Sequence, residues 1–329
     1  MNDQTLAPPL TPQDFAAPGE VRFCPGCGDH GILKALRQML AETGASPADT
    51  VFISGIGCAA RMVYYLETYG FHTIHGRAAA VATGVKLANP ALDVWIVGGD
   101  GDALAIGGNH LIHLMRRDTD CQYVLINNAI YGLTKGQASP TTAPGTATAT
   151  TPAGAAEPPM NAARLALGAG ARFVARSGDV MTAHLTATLA RARAHRGAAL
   201  VEVFQNCKVF ADGAFEAFMP KPVQEAAQIR LEHGRPMVFA KGTRGLRMAT
   251  DRLALEAVGI GPDGPGPDIL IHNETDPVLA FLLAGMTGPD LPVAMGVLFA
   301  DPAPQPLPAQ APAPGFDTLV RKAQTWTVP

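Results

Sequence analysis

Residues 97–137 read VGGDGDALAIGGNHLIHLMRRDTDCQYVLINNAIYGLTKGQ, and this stretch decides the fold. Two short apolar runs, DVWIVGG (93–99) and QYVLINN (122–128), flank a helical pattern, ALAIGGNHLIHLMRR (103–117). Near-continuous apolar runs are typical of parallel strands buried on both faces, and parallel strands need a crossover connection between them. The stretch therefore predicts a strand–helix–strand unit of an α/β sheet.

The same alternation of apolar runs and helical patterns continues along most of the chain. Apolar residues at helical spacing predict helices, and short apolar runs that end in turn residues predict strands. Alternating strands and helices are typical of a doubly wound α/β fold, with a mostly parallel sheet and helices on both faces. The predicted helices cover residues 30–43, 61–70, 77–89 and 181–196, and further strands cover 50–57 and 198–207.

Composition divides the chain into four parts. A Pro-rich and polar stretch, residues 1–20, is interpreted as an N-terminal arm, and residues 21–215 as the ligand-binding α/β domain. Residues 216–300 are interpreted as a C-terminal extension that contacts another subunit, and the Pro/Ala-rich residues 301–329 as a tail. The Thr/Ala/Pro-rich segment 138–159 is too long for an ordinary loop, so it is a functional lid, an ordered surface excursion or a disordered stretch.

Charge and hydropathy argue against several classes of partner. The 329 residues carry a net charge of -3, which does not favour binding to nucleic acid or to an anionic membrane surface. No uninterrupted apolar run approaches the roughly 20 residues that a membrane-spanning helix needs. The first residues also lack the pattern of a secretory signal. We therefore expect a cytoplasmic protein.

Polar residues follow the two apolar runs at the point where each predicted strand ends. Gly98–Asp102 is a Gly-Asp-Gly-Asp turn after the first run, and Asn127 and Asn128 end the second. Glycines let backbone N–H groups approach an anion, and the following helix directs its positive end to the same place. Because an acid repels a phosphate unless a cation lies between them, Asp100 points to Mg²⁺. A tight turn alone would explain the Gly-Asp-Gly-Asp sequence, and a strand cap alone would explain the two asparagines. The occurrence of both at the ends of adjacent strands favours a ligand site.

Four of the five cysteines fall where loops are predicted. Cys24 and Cys27 form a C-x-x-C motif, Cys58 lies in a Gly turn after a strand, and Cys207 follows another strand. Such a set can hold zinc or an iron–sulfur cluster, and one pair with two isolated residues leans towards a cluster without settling the choice. Unrelated cysteines are the third alternative. Cys121, at the start of a strand, is interpreted as a small core residue.

Both signals together resemble one family over residues 20–300, the β subunits of 2-oxoacid:ferredoxin oxidoreductases. The Gly-Asp-Gly and Asn-Asn pairing is similar to the diphosphate-binding motif of thiamine diphosphate enzymes, and YGLTKGQASPTT looks most like the 2-oxoglutarate members. Ala59 stands where the family more often has Ser, which leaves the substrate open. The stretches that carry the resemblance are CPGCGDHG, GIGCAAR, YGFHTIHGRAAAVATGVKLANP, GGDGDALAIGGNHLIH, NNAIYGLTKGQASPTT and HGRPMVFA.

The resemblance implies two cofactors in residues 21–215. Thiamine diphosphate would be held through Mg²⁺ by the side chains of Asp100 and Asn128 and the carbonyl of Ile130. A 4Fe–4S cluster would be held by the cysteines other than Cys121. The residues expected to contact these cofactors are Cys24, Cys27, Cys207, Ile56, Gly57, Cys58, His75, Gly99, Asp100, Gly101, Asp102, Asn128, Ile130, Tyr131, Gly132, Leu133 and Thr134.

Three residues are candidates for a direct role in catalysis. Arg61 follows Cys58 and would neutralise a substrate carboxylate or the cluster, unless it is a surface arginine. His75 would face the diphosphate, with a packing histidine as the alternative. Leu133 follows the metal-binding motif, so its backbone is expected to line the cofactor cleft.

The reaction implied by the resemblance is the coenzyme A-dependent oxidative decarboxylation of a 2-oxoacid, with 2-oxoglutarate expected and pyruvate or a branched-chain 2-oxoacid as alternatives. The α subunit would supply the glutamate that activates thiamine and much of the coenzyme A contact, in a heterodimer or heterotetramer. Since the chain lacks a C-x₂-C-x₂-C-x₃-C-P run, electrons would leave to a separate ferredoxin. A zinc-bound scaffold subunit without activity and a non-redox thiamine enzyme are the competing interpretations.

Overall fold

The computed structural model describes residues 9–286 and 290–302. The strands are β1 Thr50–Ser54, β2 Tyr69–His72, β3 Asp93–Gly99, β4 Gln122–Asn127, β5 Phe173–Gly178, β6 Ala199–Phe204, β7 Gln228–Arg230, β8 Val238–Phe239, β9 Arg244–Met248, β10 Leu255–Gly259 and β11 Val293–Ala300. The helices are α1 Asp29–Glu42, α2 Ala78–Ala88, α3 Gly108–Arg116, α4 Ala162–Gly168, α5 Thr182–Ala194, α6 Lys221–Ala227 and α7 Pro277–Ala284.

Eight of these strands form one twisted sheet in the order β2-β1-β3-β4-β6-β5-β11-β7. All neighbours pair in parallel except β11 and β5, which are antiparallel. β3 and β4 lie side by side, with Gly99 opposite Ile126, so the two polar strand ends meet at one edge. The predicted strand–helix–strand unit and the mostly parallel sheet are confirmed.

Helices cover both faces of the sheet because side chains alternate along each strand. On β1, Ile53 packs into the cluster beneath α2, α3, α4 and α7, whereas Phe52 packs into the cluster beneath α1 and α5. Phe52 stacks on Trp95 of β3, and both side chains are fully buried. Every residue of β1, β4, β5 and β6 is buried, which explains why β1 and β4 read as near-continuous apolar runs.

The predicted helix over residues 61–70 is wrong. A short 3-10 turn, Ala59–Tyr64, is followed by the exposed edge strand β2. Only Ala59, Ala60 and Met62 of the turn are buried, so the segment lacks an apolar face long enough to hold an α-helix against the sheet. Aromatic residues in Tyr69–His72 suit a strand, and they extend the sheet instead.

The crossover helix predicted over residues 103–117 is divided. A π-helical turn, Gly101–Ile106, precedes α3, and Gly107 joins them. A Cβ at Gly107 would lie 2.4 Å from the carbonyl oxygen of Asp102, so the chain can fold back this closely only at a glycine. The interruption lies directly after the acidic turn, and π-turns are frequent at functional sites.

The chain after residue 215 contributes to both sheets. β7 and β11 complete the large sheet, while β8, β9 and β10 form a separate antiparallel sheet. At the other end, Phe15 of the predicted arm is fully buried in the core, whereas residues 1–8 of the arm and 303–329 of the predicted tail lie outside the described residues. Among the residues that are described, no helix is long and apolar enough to cross a membrane.

Candidate cofactor site at the carboxyl edge of the sheet

Asp100 directly follows β3 and lies at the centre of a polar network. Its side chain is 1 % exposed, and its Oδ2 accepts hydrogen bonds of 2.5 Å from the hydroxyls of Ser139 and Thr141. Burial raises the pKa of the Asp100 carboxyl, and hydrogen bonds from the two hydroxyls and from the backbones of Gly101 and Asn128 oppose that rise. Donors favour the ionised form of a buried carboxyl, and a carboxylate oxygen is a ligand that a hard divalent cation such as Mg²⁺ accepts.

Asp102 joins two loops instead of capping the turn that follows it. Its Oδ1 accepts the backbone N–H of Ile56 at 3.0 Å and that of Gly76 at 2.8 Å. The same oxygen lies 2.5 Å from Nδ1 of His75, while Oδ2 is buried without a hydrogen-bond partner among the described residues. The carboxylate therefore fixes the position of His75 and the loop after β1 at the sheet edge.

Tyr131 connects this histidine to the acidic turn. Its ring lies 6.2 Å from that of His75 at a nearly perpendicular angle, and its hydroxyl donates to the carbonyl of Gly101 at 3.1 Å. A Cβ at Gly101 would lie 2.1 Å from the tyrosine ring. The packing of Tyr131 thus requires a glycine at position 101, whether or not a ligand also approaches the backbone there.

The four cysteines expected to bind a cluster line one cavity of about 110 Å³. Cys24 and Cys27 precede α1, Cys58 precedes the 3-10 turn, and Cys207 follows β6. A Cβ built at Gly132 would be 3.4 Å from Cys207 Sγ and 3.8 Å from Cys58 Sγ, so these thiols lie close to the chain that follows the Asn-Asn motif. Cys121 is fully buried in the core, as expected.

Two of the thiols in this cavity, Cys27 and Cys58, and one acid are poorly solvated. Burial, with a further contribution from Asp29, raises the pKa of Cys27 strongly and that of Cys58 to about 11, and Arg61 acts in the opposite direction on Cys58. Burial also raises the pKa of Asp29 to about 7, and neither of its oxygens has a hydrogen-bond partner among the described residues. Thiols in this state become thiolates readily only when a metal compensates their charge.

The cysteine side chains are not gathered around a single point. Within residues 9–286 and 290–302, no group of three or more His, Cys, Asp or Glu side chains meets the geometry of a single metal ion. The thiols instead line the wall of the cavity from separate segments of the chain.

Several predicted residues connect the cysteine cavity with the acidic site. Arg61, Asn128, Gly132 and Leu133 line the cavity together with the four cysteines. The side chain of Leu133 is half exposed there. Because Asn128 follows Asn127 at the end of β4, beside Asp100 at the end of β3, the two sites share one edge of the sheet.

The other residues predicted to contact a cofactor interact mainly with residues close to them in the chain. The Ile130 N–H donates to Asn128 Oδ1 at 3.2 Å, and the hydroxyl of Thr134 bonds to Gln137. Gly57 has a φ of 126°, a backbone conformation that favours glycine, in the loop just before Cys58. These residues lie at the same sheet edge, but no described contact assigns them to a ligand.

Sequence reasoning missed four residues of the site. Ser139 and Thr141 contact Asp100, Asp29 lines the cysteine cavity, and Gln205 Nε2 lies 3.3 Å from Cys27 Sγ. Ser139, Thr141 and Asp29 lie within stretches that carry the resemblance, and Gln205 lies two residues before Cys207, so their position in or near those motifs was the available signal.

Comparison with known proteins identifies the family of this chain. Residues 55–203 match the family model for the thiamine pyrophosphate enzyme, C-terminal TPP binding domain, so the fold and the site define a thiamine pyrophosphate enzyme. The chain is 48% identical over 290 residues to 2-oxoglutarate oxidoreductase subunit KorB of Mycobacterium tuberculosis, covering 87% of this chain and 77% of that protein. It therefore belongs to the family of 2-oxoacid:ferredoxin oxidoreductase β subunits.

Two further comparisons support the assignment. The chain is 45% identical over 190 residues to 2-oxoacid:ferredoxin oxidoreductase 1, subunit beta, of Aeropyrum pernix, covering 58% of this chain and 60% of that one. Its structure matches a solved 2-oxoglutarate:ferredoxin oxidoreductase from Magnetococcus marinus with a TM-score of 0.74 and 30% identity, covering 96% and 97% of the two chains. The predicted family, enzyme class and α/β fold are confirmed.

Proposed function

We propose that this chain is the β subunit of an enzyme that converts a 2-oxoacid and coenzyme A into acyl-CoA and CO₂, and passes electrons through a 4Fe–4S cluster to ferredoxin. The observation that carries the proposal is the position of the cysteine cavity. Four thiols from three distant segments line a cavity that also includes Asn128, directly beside the buried Asp100. The reaction needs a one-electron acceptor close to the thiamine ring, and a cluster held in this cavity would be that acceptor.

The residues of the acidic site fit a magnesium-bound diphosphate. Asp100, Asn128 and the carbonyl of Ile130 are the proposed ligands of Mg²⁺, which accepts oxygen ligands from one or two side chains together with phosphate oxygens. Thiamine diphosphate, when bound, supplies the nucleophilic carbon and accepts the electrons left by decarboxylation. The contribution of Asp100 is a negative charge held at a fixed place, where the cation can offset it.

His75 is proposed to act at the same edge. The Asp102 carboxylate accepts from its Nδ1, which fixes the tautomer with the proton on Nδ1 and leaves Nε2 as an acceptor. In the tautomer with the proton on Nδ1, Nε2 can accept a hydrogen bond from a substrate or cofactor group. Tyr131, held by Gly101, packs on the ring and limits its movement.

The cysteine cavity is proposed to hold the iron–sulfur cluster rather than zinc. A single zinc ion draws four sulfurs to one point, whereas a four-iron cluster separates its thiolates by its own width. Thiols spread around a cavity wall suit the larger group. Arg61, which lines the cavity, would offset part of the negative charge of the thiolates, and Leu133 would cover the cavity at its exposed side.

Coenzyme A and 2-oxoglutarate are the proposed co-substrate and substrate. Both are bound in the related structure from Magnetococcus marinus, together with succinyl-CoA, and the relative from Mycobacterium tuberculosis is named for 2-oxoglutarate. We infer an α subunit as partner, supplying the activating glutamate and most coenzyme A contacts, and a cytoplasmic ferredoxin as acceptor. Residues 21–215 would bind the cofactors and residues 216–300 would contact the other subunit.

The decisive experiment is to coexpress the chain with its α subunit and to assay the purified complex. We expect brown protein with iron and acid-labile sulfide, and coenzyme A-dependent reduction of ferredoxin or a viologen dye that is fastest with 2-oxoglutarate among 2-oxoglutarate, pyruvate and branched-chain 2-oxoacids. A colourless complex with stoichiometric zinc and no reductase activity would support a scaffold subunit instead.

A further inference from the structure

The Thr/Ala/Pro-rich segment after Gln137 returns to the acidic site and contacts it. Ser139 Oγ and Thr141 Oγ1 both donate to the same oxygen, Asp100 Oδ2, at 2.5 Å. Asp100 is 1 % exposed and Ser139 is 9 % exposed, so water competes little for these bonds. Hydrogen bonds to an ionised acceptor are the stronger class, and two converge here on one carboxylate oxygen.

These two hydroxyls are not what attaches the segment to the protein. Thr142 does so independently, because its hydroxyl donates to the carbonyl of Ala129 at 2.7 Å and accepts the N–H of Ser139 at 2.8 Å. Thr142 is 3 % exposed. Further along, the N–H of Met160 donates to the carbonyl of Pro140 at 2.8 Å. The segment therefore has its own anchors, and the Ser139 and Thr141 hydroxyls remain for the carboxylate.

The Thr141 hydroxyl has a choice of acceptor. It lies 2.5 Å from Asp100 Oδ2 and 2.9 Å from the amide oxygen of Asn127, but it carries one proton. The charged acceptor at the shorter distance takes that proton. Thr141 therefore bonds to Asp100 after β3, and its hydroxyl lies close to Asn127 at the end of β4 without bonding to it.

We propose that Ser139 and Thr141 are positioning residues that hold the Asp100 carboxylate in one orientation, so that the divalent cation of the cofactor meets a preorganised ligand. This inference rests on the proposed function and gives the Thr/Ala/Pro-rich segment a role in it. Groups that hydrogen-bond a metal ligand orient it and tune its affinity, and their loss typically weakens metal binding about 10–100-fold. The geometry assigns that role to two hydroxyls in a segment with many threonines, where the sequence alone does not distinguish them from the others.

The test removes each hydroxyl while keeping the shape of the site. Ser139→Ala, Thr141→Val and the double variant are prepared in the complex with the α subunit, and Mn²⁺ or Mg²⁺ binding is measured in the presence of thiamine diphosphate by electron paramagnetic resonance and calorimetry. We expect the double variant to bind the ion about tenfold or more weakly, and each single variant to lie between it and the wild type. Thr141→Ser, which restores the hydroxyl, should bind within about twofold of the wild type.

The same segment provides a matched control. Thr148 and Thr151 bond to each other through their hydroxyls at 2.8 Å, away from Asp100. Thr148→Val and Thr151→Val make the same chemical change and should leave ion affinity unaltered. Thermal unfolding of every variant is recorded, so that weaker ion binding can be separated from a general loss of structure.

Three outcomes would overturn the inference. Unchanged ion affinity in the double variant means that the hydroxyls do not position the carboxylate, and tighter binding means that they compete with the ion. Equal losses in Thr141→Val and Thr141→Ser, with a lower melting temperature, mean that the residue only supports the loop. The Asp100→Asn variant distinguishes failure of the proposed metal site from failure of the role given to the two hydroxyls. If Asp100→Asn binds the ion normally, the proposed metal site is wrong. If Asp100→Asn loses ion binding and the double variant retains it, only the role of the hydroxyls is wrong.

Discussion

The acidic site and the cysteine cavity lie at the same edge of the sheet, but they are built in different ways. The centre of the acidic site, Asp100 with Asn128, Ser139 and Thr141, comes from the ends of two adjacent strands and the segment that follows them. Its central carboxylate, Asp100, already has two hydroxyl donors. The cysteine cavity is assembled from residues 24, 27, 58 and 207, and its Asp29 carboxyl has no hydrogen-bond partner among the described residues.

The difference indicates which region depends more on what it binds. Buried polar groups without partners destabilise a fold, so a cavity lined by such groups gains most when a ligand satisfies them. In the acidic site one buried oxygen, Asp102 Oδ2, also has no hydrogen-bond partner among the described residues, but the Asp100 carboxylate is held by its own hydrogen bonds and needs a cation mainly for charge. We therefore expect loss of its ligand to destabilise the fold around the cysteine cavity. At the acidic site, loss of the cation should weaken cofactor binding and leave the fold largely unchanged.

The largest effect is expected from Cys58→Ser, which removes one proposed cluster ligand. Ferredoxin reduction should fall to background, because the path for electrons is lost, while thiamine diphosphate still binds. The assays are ferredoxin reduction and calorimetric titration with thiamine diphosphate and Mg²⁺, and Cys121→Ala, in the core, is the matched control. Normal ferredoxin reduction by Cys58→Ser would refute the cluster assignment.

Asp100→Ala is the corresponding change in the acidic site. We expect Mg²⁺-dependent binding of thiamine diphosphate to weaken at least about a hundredfold, since both the charge and the ligand atom are removed. The iron content and colour of the protein should stay as in the wild type. Unchanged affinity of the variant for the cofactor, measured by calorimetry, would refute the assignment of Asp100 as a ligand of the metal.

Gly101→Ala tests whether the packing of Tyr131 matters for the acidic site. The new methyl group would lie 2.1 Å from the tyrosine ring, so the ring has to move, at about 1–3 kcal/mol of unfolding free energy. Cofactor affinity should fall about tenfold as the contact with His75 is lost. Gly108→Ala, where a Cβ meets nothing within 4 Å, is the matched control and should leave both affinity and stability nearly unchanged.

The smallest effect is expected at His184, which lies outside both regions. Burial lowers its pKa to about 4, and its Nδ1 lies 2.8 Å from the Ser177 hydroxyl. Between its usual pKa of about 6.5 and the lowered value, the unfolded chain binds the proton and the folded chain does not, so stability falls as the pH decreases.

Urea unfolding at pH 7 and pH 5 measures this effect. Wild type should lose about 1–2 kcal/mol more than His184→Gln over this interval. Equal losses in the two proteins would show that His184 does not contribute to acid sensitivity.

Much of the acidic site follows from the sequence because its signal is local. A buried strand and the turn after it lie next to each other in the chain, and Asp100 and Asn128 are placed by the ends of their own strands. Ser139 and Thr141 could not be found in this way, since many threonines in that segment look alike and only the three-dimensional path brings two hydroxyls back to Asp100.

The cysteine cavity and the boundaries of the helices and strands were harder to predict from the sequence. Spacing alone left zinc, a cluster and unrelated cysteines open, and the meeting of Cys58 with Cys207 depends on the order of β1 and β6 in the sheet. The helix expected over residues 61–70 was wrong because its apolar residues were read at helical spacing, whereas the aromatic residues belong to an exposed strand.

The place of β11 in the sheet has a consequence for synthesis of the chain. This strand begins at residue 293 but lies between β5 and β7, not at the border of the sheet. Until the ribosome has released it, β5 and β7 each present an unpaired row of backbone groups to other nascent chains. Because β7 joins the large sheet through β11, a chain truncated before residue 293 would leave the edge of β5 exposed, and we expect it to aggregate more readily than the full chain.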